Sequence, residues 1–436
     1  MSPDPSADSR RRMWRTLALI LLLSLVVRLL LILQMGNRYY FADTREYQDA
    51  AQSLLAGHGP GKAFPRAPVY PAFMALGFWM FGGTYIGVRL LQLVLAMGLI
   101  GLAALLALRI GRPGHALLTA LFAAAAPSLV FTTGMLYPTV LYSLLLLGIT
   151  FVARSLDQRP GILRGALLGV LIALAFMTDQ IVIAPIVAIL VWLAWGCRRH
   201  GARLALAIVV ALAVAGLVVA PIARYYEHAY GRAPIFMEKA QTTLWFVRSD
   251  PQVAGLRAVH DTTSHFVALT SRQFVAREWG LLRDQTVPYL MDYVSEFVHF
   301  FKPMPDRIFT RNVYTSGLSK LIAGAYFIPV LLLALIGLIA GAARARDRLL
   351  LVLVPLATAA VYSLFFTQMR YRIPVEPHLL ILAALGATRL LPRLSALVTG
   401  TTDESAPVPA RDAAGSAAGY TARVPTPAHL DREARP

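Results

Sequence analysis

Between Gly165 and Gly196 a single charged side chain, Asp179, interrupts an otherwise apolar run. As one helix at about 1.5 Å per residue this stretch would be roughly 48 Å long, whereas a bilayer core of about 30 Å is crossed by about 20 residues. The run therefore has to fold back, and Thr178, Asp179 and Gln180 are where it can. Similar runs recur, and about ten segments are long and apolar enough to cross a membrane: 14–34, 85–108, 115–133, 136–154, 162–178, 180–196, 202–222, 321–341, 349–367 and 374–391. The stretch Thr16 to Leu33 follows a basic cluster but outlasts a signal-peptide core and ends without a small-residue cleavage site, so it reads as a retained first span.

These runs predict an all-α polytopic membrane protein, and the composition agrees: 57% of the 436 residues are hydrophobic, 15% are charged, and mean hydropathy is +0.60. A net charge of +18 in a soluble chain would point to nucleic acid, but most arginines here sit in short loops between apolar runs, which is a topology signal. No nucleic-acid partner is expected. The lone Cys197 excludes an intrachain disulfide.

If Arg10, Arg11, Arg12 and Arg15 are cytoplasmic, every other arginine-rich loop falls on the same side: Arg109 and Arg112; Arg154, Arg159 and Arg164; Arg198, Arg199 and Arg203; Arg344, Arg346 and Arg348; Arg389 and Arg393. That regularity supports both the span count and the orientation. Both termini are then cytoplasmic, and two hydrophilic segments, 35–84 and 224–320, lie outside. Within the second, "REWGLLRDQTVPYLMDYVSEFVHFF" reads as an amphipathic helix broken near Pro288. Residues 1–393 form the membrane domain, and 394–436, rich in Ala, Pro, Thr and Arg without periodicity, form a disordered cytoplasmic tail.

On this topology the polar residues near the membrane boundary reach one face. Asp43 and Glu46 follow the first span, Tyr137 sits in the turn between the third and fourth, and Asp179 marks the reversal. Gln368, Arg370 and Arg372 separate the last two spans. Charge at this depth is costly unless paired or wet, so the pattern predicts an outward-opening polar cavity. A helix over 42–56 would set Asp43, Glu46 and Tyr47 on one face. Asp43 also suits a helix N-cap, Asp179 suits a hydrated turn, and Arg370 and Arg372 suit contact with headgroups. Few ionisable residues fall inside spans; Arg28 and Arg89 lie near the estimated ends.

The segment "FADTREYQDAAQSLLAGHGPG" after the first span, followed by "FPRAPVYPAFMALGFWMFG" and "RLLQLVL", resembles the start of the GT-C glycosyltransferases related to protein O-mannosyltransferases and bacterial aminoarabinose transferases (family 39-like). "APIARYYEHAYGRAPIFMEKAQTTLWFVRSDPQVAG" resembles the entry to their external domain, and "MRYRIPVEPHLLILAALG" their closing span, so the likeness covers residues 14 to about 392.

The resemblance implies a GT-C transmembrane bundle with an external helical loop domain, in a bacterial inner membrane. It also implies transfer of a sugar from a polyprenyl-phosphate donor to a lipid, glycan or protein acceptor. By the same resemblance Asp43 is the catalytic carboxylate, with Glu46 beside it. Leaving phosphates call for cations, for which Arg370 and Arg372 come first, then Arg66 and Lys62; Tyr47, Tyr137 and Asp179 would line the cavity. Relatives often carry an acid where "GMLYPTVLYSL" has Pro138 and Thr139, and an Arg-Pro pair where this chain has "TDQ". Asp43 and Glu46 are too few ligands for a divalent metal unless Asp179 completes the set, so no metal or other cofactor is assigned. Two other classes remain: a flippase for a lipid-linked precursor, disfavoured by the scarcity of mid-span charge and repeats, and a non-catalytic assembly partner, which the missing acid keeps open.

Overall fold

The computed structural model describes residues 5–40, 43–59, 67–230, 276, 279–280, 282–303, 317–364 and 367–390. Lys62, Arg66, most of the external segment 224–320 and the tail 394–436 lie outside the described residues. Described elements are helical throughout, in the order α1 (Pro5–Met35), α2 (Asp43–Leu55), α3 (Val69–Met80), α4 (Tyr85–Ile110), α5 (Pro113–Ala125), α6 (Pro127–Gly134) and α7 (Thr139–Gln158). There follow α8 (Ile162–Phe176), α9 (Ile183–Tyr230), α10 (Thr286–Phe300), α11 (Gly317–Ala340), α12 (Ala345–Tyr362), α13 (Met369–Arg372) and α14 (Glu376–Leu390). The chain is a multi-pass membrane protein.

Each of the ten expected spans corresponds to helix. Among the described residues seven helices are long and apolar enough to cross a membrane by themselves, and an eighth crossing exists if α5 and α6, bent by 56° at their junction, are one span. The other two fall short for visible reasons. Helix α8 has 15 residues, and α12 carries Arg346, Asp347 and Arg348 in its first turn. The expected reversal is present: α8 stops at Phe176, and the Asp179 side chain accepts from the Ile181 amide (3.1 Å) to start a short 3₁₀ turn, Gln180–Val182, that leads into α9. Helix α9 is two spans joined at Gly201. The φ of Gly201 is 56°, a backbone setting that glycine adopts without steric cost. The break expected at Pro288 falls at Gln285, leaving Pro288 in the first turn of α10, where its missing N–H costs nothing. Helix α3 is unforeseen: apolar, only 12 residues long, it sits inside the segment read as hydrophilic.

Helix α14 is buried along nearly its whole length and forms the centre of the bundle, whereas α1 turns Leu19, Leu22, Leu23, Leu30 and Leu33 outward, as a lipid-facing helix does. The helices approach through glycines. A Cβ at Gly337 of α11 would overlap the Leu382 carbonyl oxygen of α14, and one at Gly386 would overlap the Leu333 carbonyl oxygen. Gly165 and Gly169 of α8 lie in the same way on the Ala207 and Ala211 carbonyls of α9, a small-xxx-small contact of the kind that lets backbones meet in lipid.

The α5/α6 bend has a definite cause. Pro127 has no N–H to give the Ala123 carbonyl, and in a membrane that acceptor has to find another donor. Arg28 supplies it: Nη2 donates to Ala123 O (3.1 Å) and Nη1 to Ala124 O (3.2 Å) and to Ser24 Oγ. Tyr326 completes the repair by donating to Phe122 O (2.6 Å). Arg28 is therefore not a boundary residue as its sequence position suggests; it is 1% exposed and holds a broken helix.

Candidate functional site

Three separate stretches of chain meet at one end of the bundle. Asp43 opens α2, and with Glu46 it puts negative charge in that helix's first turn, where the helix dipole favours it. One turn further, the buried ring of Tyr47 lies edge-on between Tyr70 (5.0 Å between centroids) and Tyr137 (5.7 Å). Tyr137, in the turn between α6 and α7, donates its hydroxyl to Asp43 Oδ2 at 3.2 Å. Burial pushes the Tyr137 phenol well above its ordinary pKa, with the Arg370 guanidinium acting the other way, so the group stays a donor at physiological pH.

Helix α4 fixes these two stretches to each other. Arg89 is wholly buried and donates from Nε to Gly134 O (2.6 Å), and through its two terminal nitrogens to the carbonyls of Gly36 and Arg38. One guanidinium thus binds the end of α1, which leads to Asp43, and the end of α6, which leads to Tyr137. One turn on, Gln92 Nε2 donates to Met135 O (2.6 Å) and Thr133 O (3.2 Å), while its Oε1 accepts from Tyr70 (2.7 Å). Thr44 Oγ1 adds a direct tie from α2 to Leu136 O at 3.3 Å.

The third stretch brings Arg370. Its Nη1 lies 3.9 Å from Asp43 Oδ2, its guanidinium covers the rings of Tyr137 (5.4 Å) and Tyr371 (5.2 Å), and Nη2 donates to the Tyr371 hydroxyl at 3.3 Å. The segment is held from both sides. Ahead of it, Glu296 of α10 accepts from the Thr367 amide (2.6 Å) and hydroxyl (2.7 Å); beside it, Tyr371 stacks on Tyr362 at 4.3 Å, with 7° between the planes. The carboxylate and the guanidinium are 34% and 23% exposed at their 3.9 Å separation. At that distance the two charges attract without a direct hydrogen bond between them.

The other candidates separate. Arg372 faces away from this cluster: Nε donates to Glu376 Oε1 (3.0 Å), Nη1 to the Lys302 carbonyl, and its guanidinium lies 3.5 Å above the Phe327 ring, with the two side chains of the ion pair 2% and 3% exposed. Glu376 also accepts from Ser128 of α6. Breaking so buried a pair is expensive, so Arg372 anchors the chain next to Arg370 in this geometry. Asp179 lies at the same end, with its carboxylate serving the 3₁₀ turn. The nearby Met177 carbonyl accepts from the Val69 amide (3.1 Å), which ties α3 to the reversal. Glu46 is half-buried on α2. Among the described residues no three metal-ligating side chains come together, so Asp179 does not complete a set with Asp43 and Glu46. Three residues that sequence reasoning misses as part of the site, Arg89, Gln92 and Glu296, are buried polar groups that position it.

No protein-family model and no curated protein matches the chain. Solved structures do. ArnT from Cupriavidus metallidurans in the apo state superposes with a TM-score of 0.57 at 17% identity, over 87% of this chain and 61% of that one; the same protein bound to undecaprenyl phosphate gives 0.54. The archaeal oligosaccharyltransferase AglB from Archaeoglobus fulgidus, in complex with an inhibitory peptide and a dolichol-phosphate, gives 0.54 at 13% identity, over 92% of this chain and 52% of that one. The chain therefore spans about half to three fifths of the length of these proteins. At such identities the likeness is one of architecture, and it extends over nearly all of the membrane region: the chain has the GT-C fold.

Proposed function

We propose that the protein is an integral-membrane glycosyltransferase that moves a sugar from a polyprenyl-phosphate donor to an envelope acceptor at the extracytoplasmic face of a bacterial inner membrane, both of its termini being cytoplasmic. The observation that carries this reading is the meeting of Asp43, Tyr137 and Arg370 at one end of a GT-C fold. Structural neighbours solved with undecaprenyl phosphate and with dolichol-phosphate support a lipid-phosphate carrier.

In this reading the acceptor's O–H or N–H loses its proton to the Asp43 carboxylate as its heteroatom attacks the anomeric carbon. The bond from that carbon to the phosphate oxygen breaks, and its electron pair leaves with the carrier phosphate, so the configuration inverts. Arg370 neutralises the charge that builds on the departing phosphate, its planar fork matching two phosphate oxygens. Tyr137 orients Asp43 through its hydrogen bond, and Tyr47 and Tyr137 offer ring edges and faces to a sugar or acceptor. Glu46 and Asp179 would lend charge at the cavity's margin, and Lys62 and Arg66 remain candidates for the phosphate.

The deciding experiment compares the glycans and lipids of cell envelopes with and without the protein by mass spectrometry. Loss of a defined sugar, restored by the wild-type chain and not by an Asp43→Asn variant, is expected. Identical glycans in both strains, with the protein expressed, would sink the assignment.

A further inference from the structure

The end of the bundle away from Asp43 holds a second feature that sugar transfer does not use. A pocket of about 570 Å³ opens where the span Gln180–Arg198, the C-terminal end of α11 and the first turn of α12 come together, lined by Trp195, Leu338, Leu349 and the guanidinium-bearing Arg198, Arg346 and Arg348. Helix α12 has 18 residues, and Tyr362, which closes it, stacks on Tyr371 next to Arg370. At about 1.5 Å per residue the helix separates the pocket from the Asp43 end by roughly 27 Å. The pocket's rim is therefore at the opposite membrane boundary.

Charge is unevenly balanced there. Arg346 is answered by Asp157 (2.7 Å) and lies over the Trp192 ring (4.3 Å), and Asp347 is taken by Arg154 (2.8 Å). Among the described residues no carboxylate pairs with Arg198 or Arg348; Arg348 gives Nη1 to the Ile339 carbonyl (2.7 Å), which closes α11, and Arg198 is exposed. Two cationic groups thus remain at the mouth of a pocket whose walls are leucine and indole. A small soluble anion would leave Leu338, Leu349 and Trp195 without a partner, while an uncharged lipid would leave the arginines without one. A ligand with a phosphate at one end and hydrocarbon at the other meets both, and basic pockets between spans on the arginine-rich side of a membrane bind such lipids. Trp195 is 54% exposed at the end of its span. That is the depth at which aromatic rings prefer the headgroup layer.

We propose that this pocket is a binding site for an anionic glycerophospholipid of the leaflet opposite the Asp43 site, its phosphate held by Arg198 and Arg348 and its acyl chains lying along Leu338 and Leu349. The test is native mass spectrometry of the intact detergent-solubilised protein titrated with phosphatidylglycerol or phosphatidylcholine. Phosphatidylglycerol is expected to be retained preferentially, and Arg198→Ala and Arg348→Gln each to weaken it about fivefold to tenfold, in line with the loss of one charge-assisted contact. Arg198 is exposed, so its replacement is expected to leave the fold intact, which keeps the result interpretable if Arg348→Gln does not fold. Asp43→Asn is expected to retain the lipid fully. Equal retention of the two lipids, undiminished phosphatidylglycerol binding in the Arg198 variant, displacement by inorganic phosphate alone, or loss of the lipid in the Asp43 variant would each overturn the proposal. The last outcome would move the lipid to the transfer site.

Discussion

Arg370 Nη1 stands 3.9 Å from Asp43 Oδ2, although one residue follows the first span and the other precedes the last helix. Their separate removal is expected to fail in different ways. Asp43→Asn keeps the shape and removes the base, so product formation should fall by about 10²–10⁴-fold while binding of a polyprenyl phosphate persists. Arg370→Ala should weaken carrier binding first, measured by titration of the purified protein. Unchanged carrier affinity in the Arg370 variant would return that residue to a structural role.

Tyr137→Phe keeps the ring between Tyr47 and Arg370 and deletes only the hydroxyl that Asp43 accepts. Activity should drop by about tenfold, the value of one hydrogen bond to a charged group. Because burial raises the phenol's pKa, Tyr137 stays protonated. The ratio of wild-type to variant activity should then stay flat between about pH 6 and 9. A ratio that collapses within that range would mean that the phenol ionises there.

Arg89→Ala should cost stability and activity together. It strands the carbonyls of Gly134, Gly36 and Arg38. The Gly134 carbonyl is buried, and such an acceptor costs about 1–3 kcal/mol when left without a donor. A lowered melting temperature in detergent with parallel loss of transfer is expected. A variant that melts early yet works normally would show that the fastening is not needed to shape the site.

Gly337→Ala places a methyl group against the Leu382 carbonyl oxygen, a backbone atom that cannot turn aside. Overpacking of this kind should destabilise by about 1–3 kcal/mol. Gly101→Ala on α4 meets nothing within 4 Å. It should be neutral or mildly stabilising through helix propensity. Thermal unfolding of the two variants side by side gives the contrast, and equal melting points would remove the close-approach argument.

Orientation can be read by thiol labelling in a Cys197→Ser background. Met80→Cys, at the Asp43 end, should react with a membrane-impermeant reagent added to cells from outside, and Arg159→Cys should react only after lysis. The reverse pattern would invert the arginine-based topology.

Much of the architecture is legible because lipid imposes length on helices and arginine counts impose direction. Asp43, Glu46, Tyr137, Asp179, Gln368, Arg370 and Arg372 are expected on one face; of these Asp43, Tyr137 and Arg370 meet at one end, while Arg372 pairs with Glu376. Partnerships between distant residues are what the chain does not disclose. Pro127 lies in plain view in "AAAAPSLV", but only three-dimensional structure shows that Arg28 and Tyr326 repair the break it makes. Arg372 and Glu376 stand four apart and could be paired on paper; the proline at 374 hides the helical register that joins them. Helix α3 escapes notice because its 12 apolar residues are too few to cross a bilayer.

The Arg89 bridge has a mechanical corollary. One planar group is bonded to both the end of α1 and the end of α6, so the carboxylate and the phenol are fastened to the same side chain of α4. Arg370 is carried by a different fastening, at Glu296 and Thr367, so the acid–phenol pair and the guanidinium reach the site on independent supports.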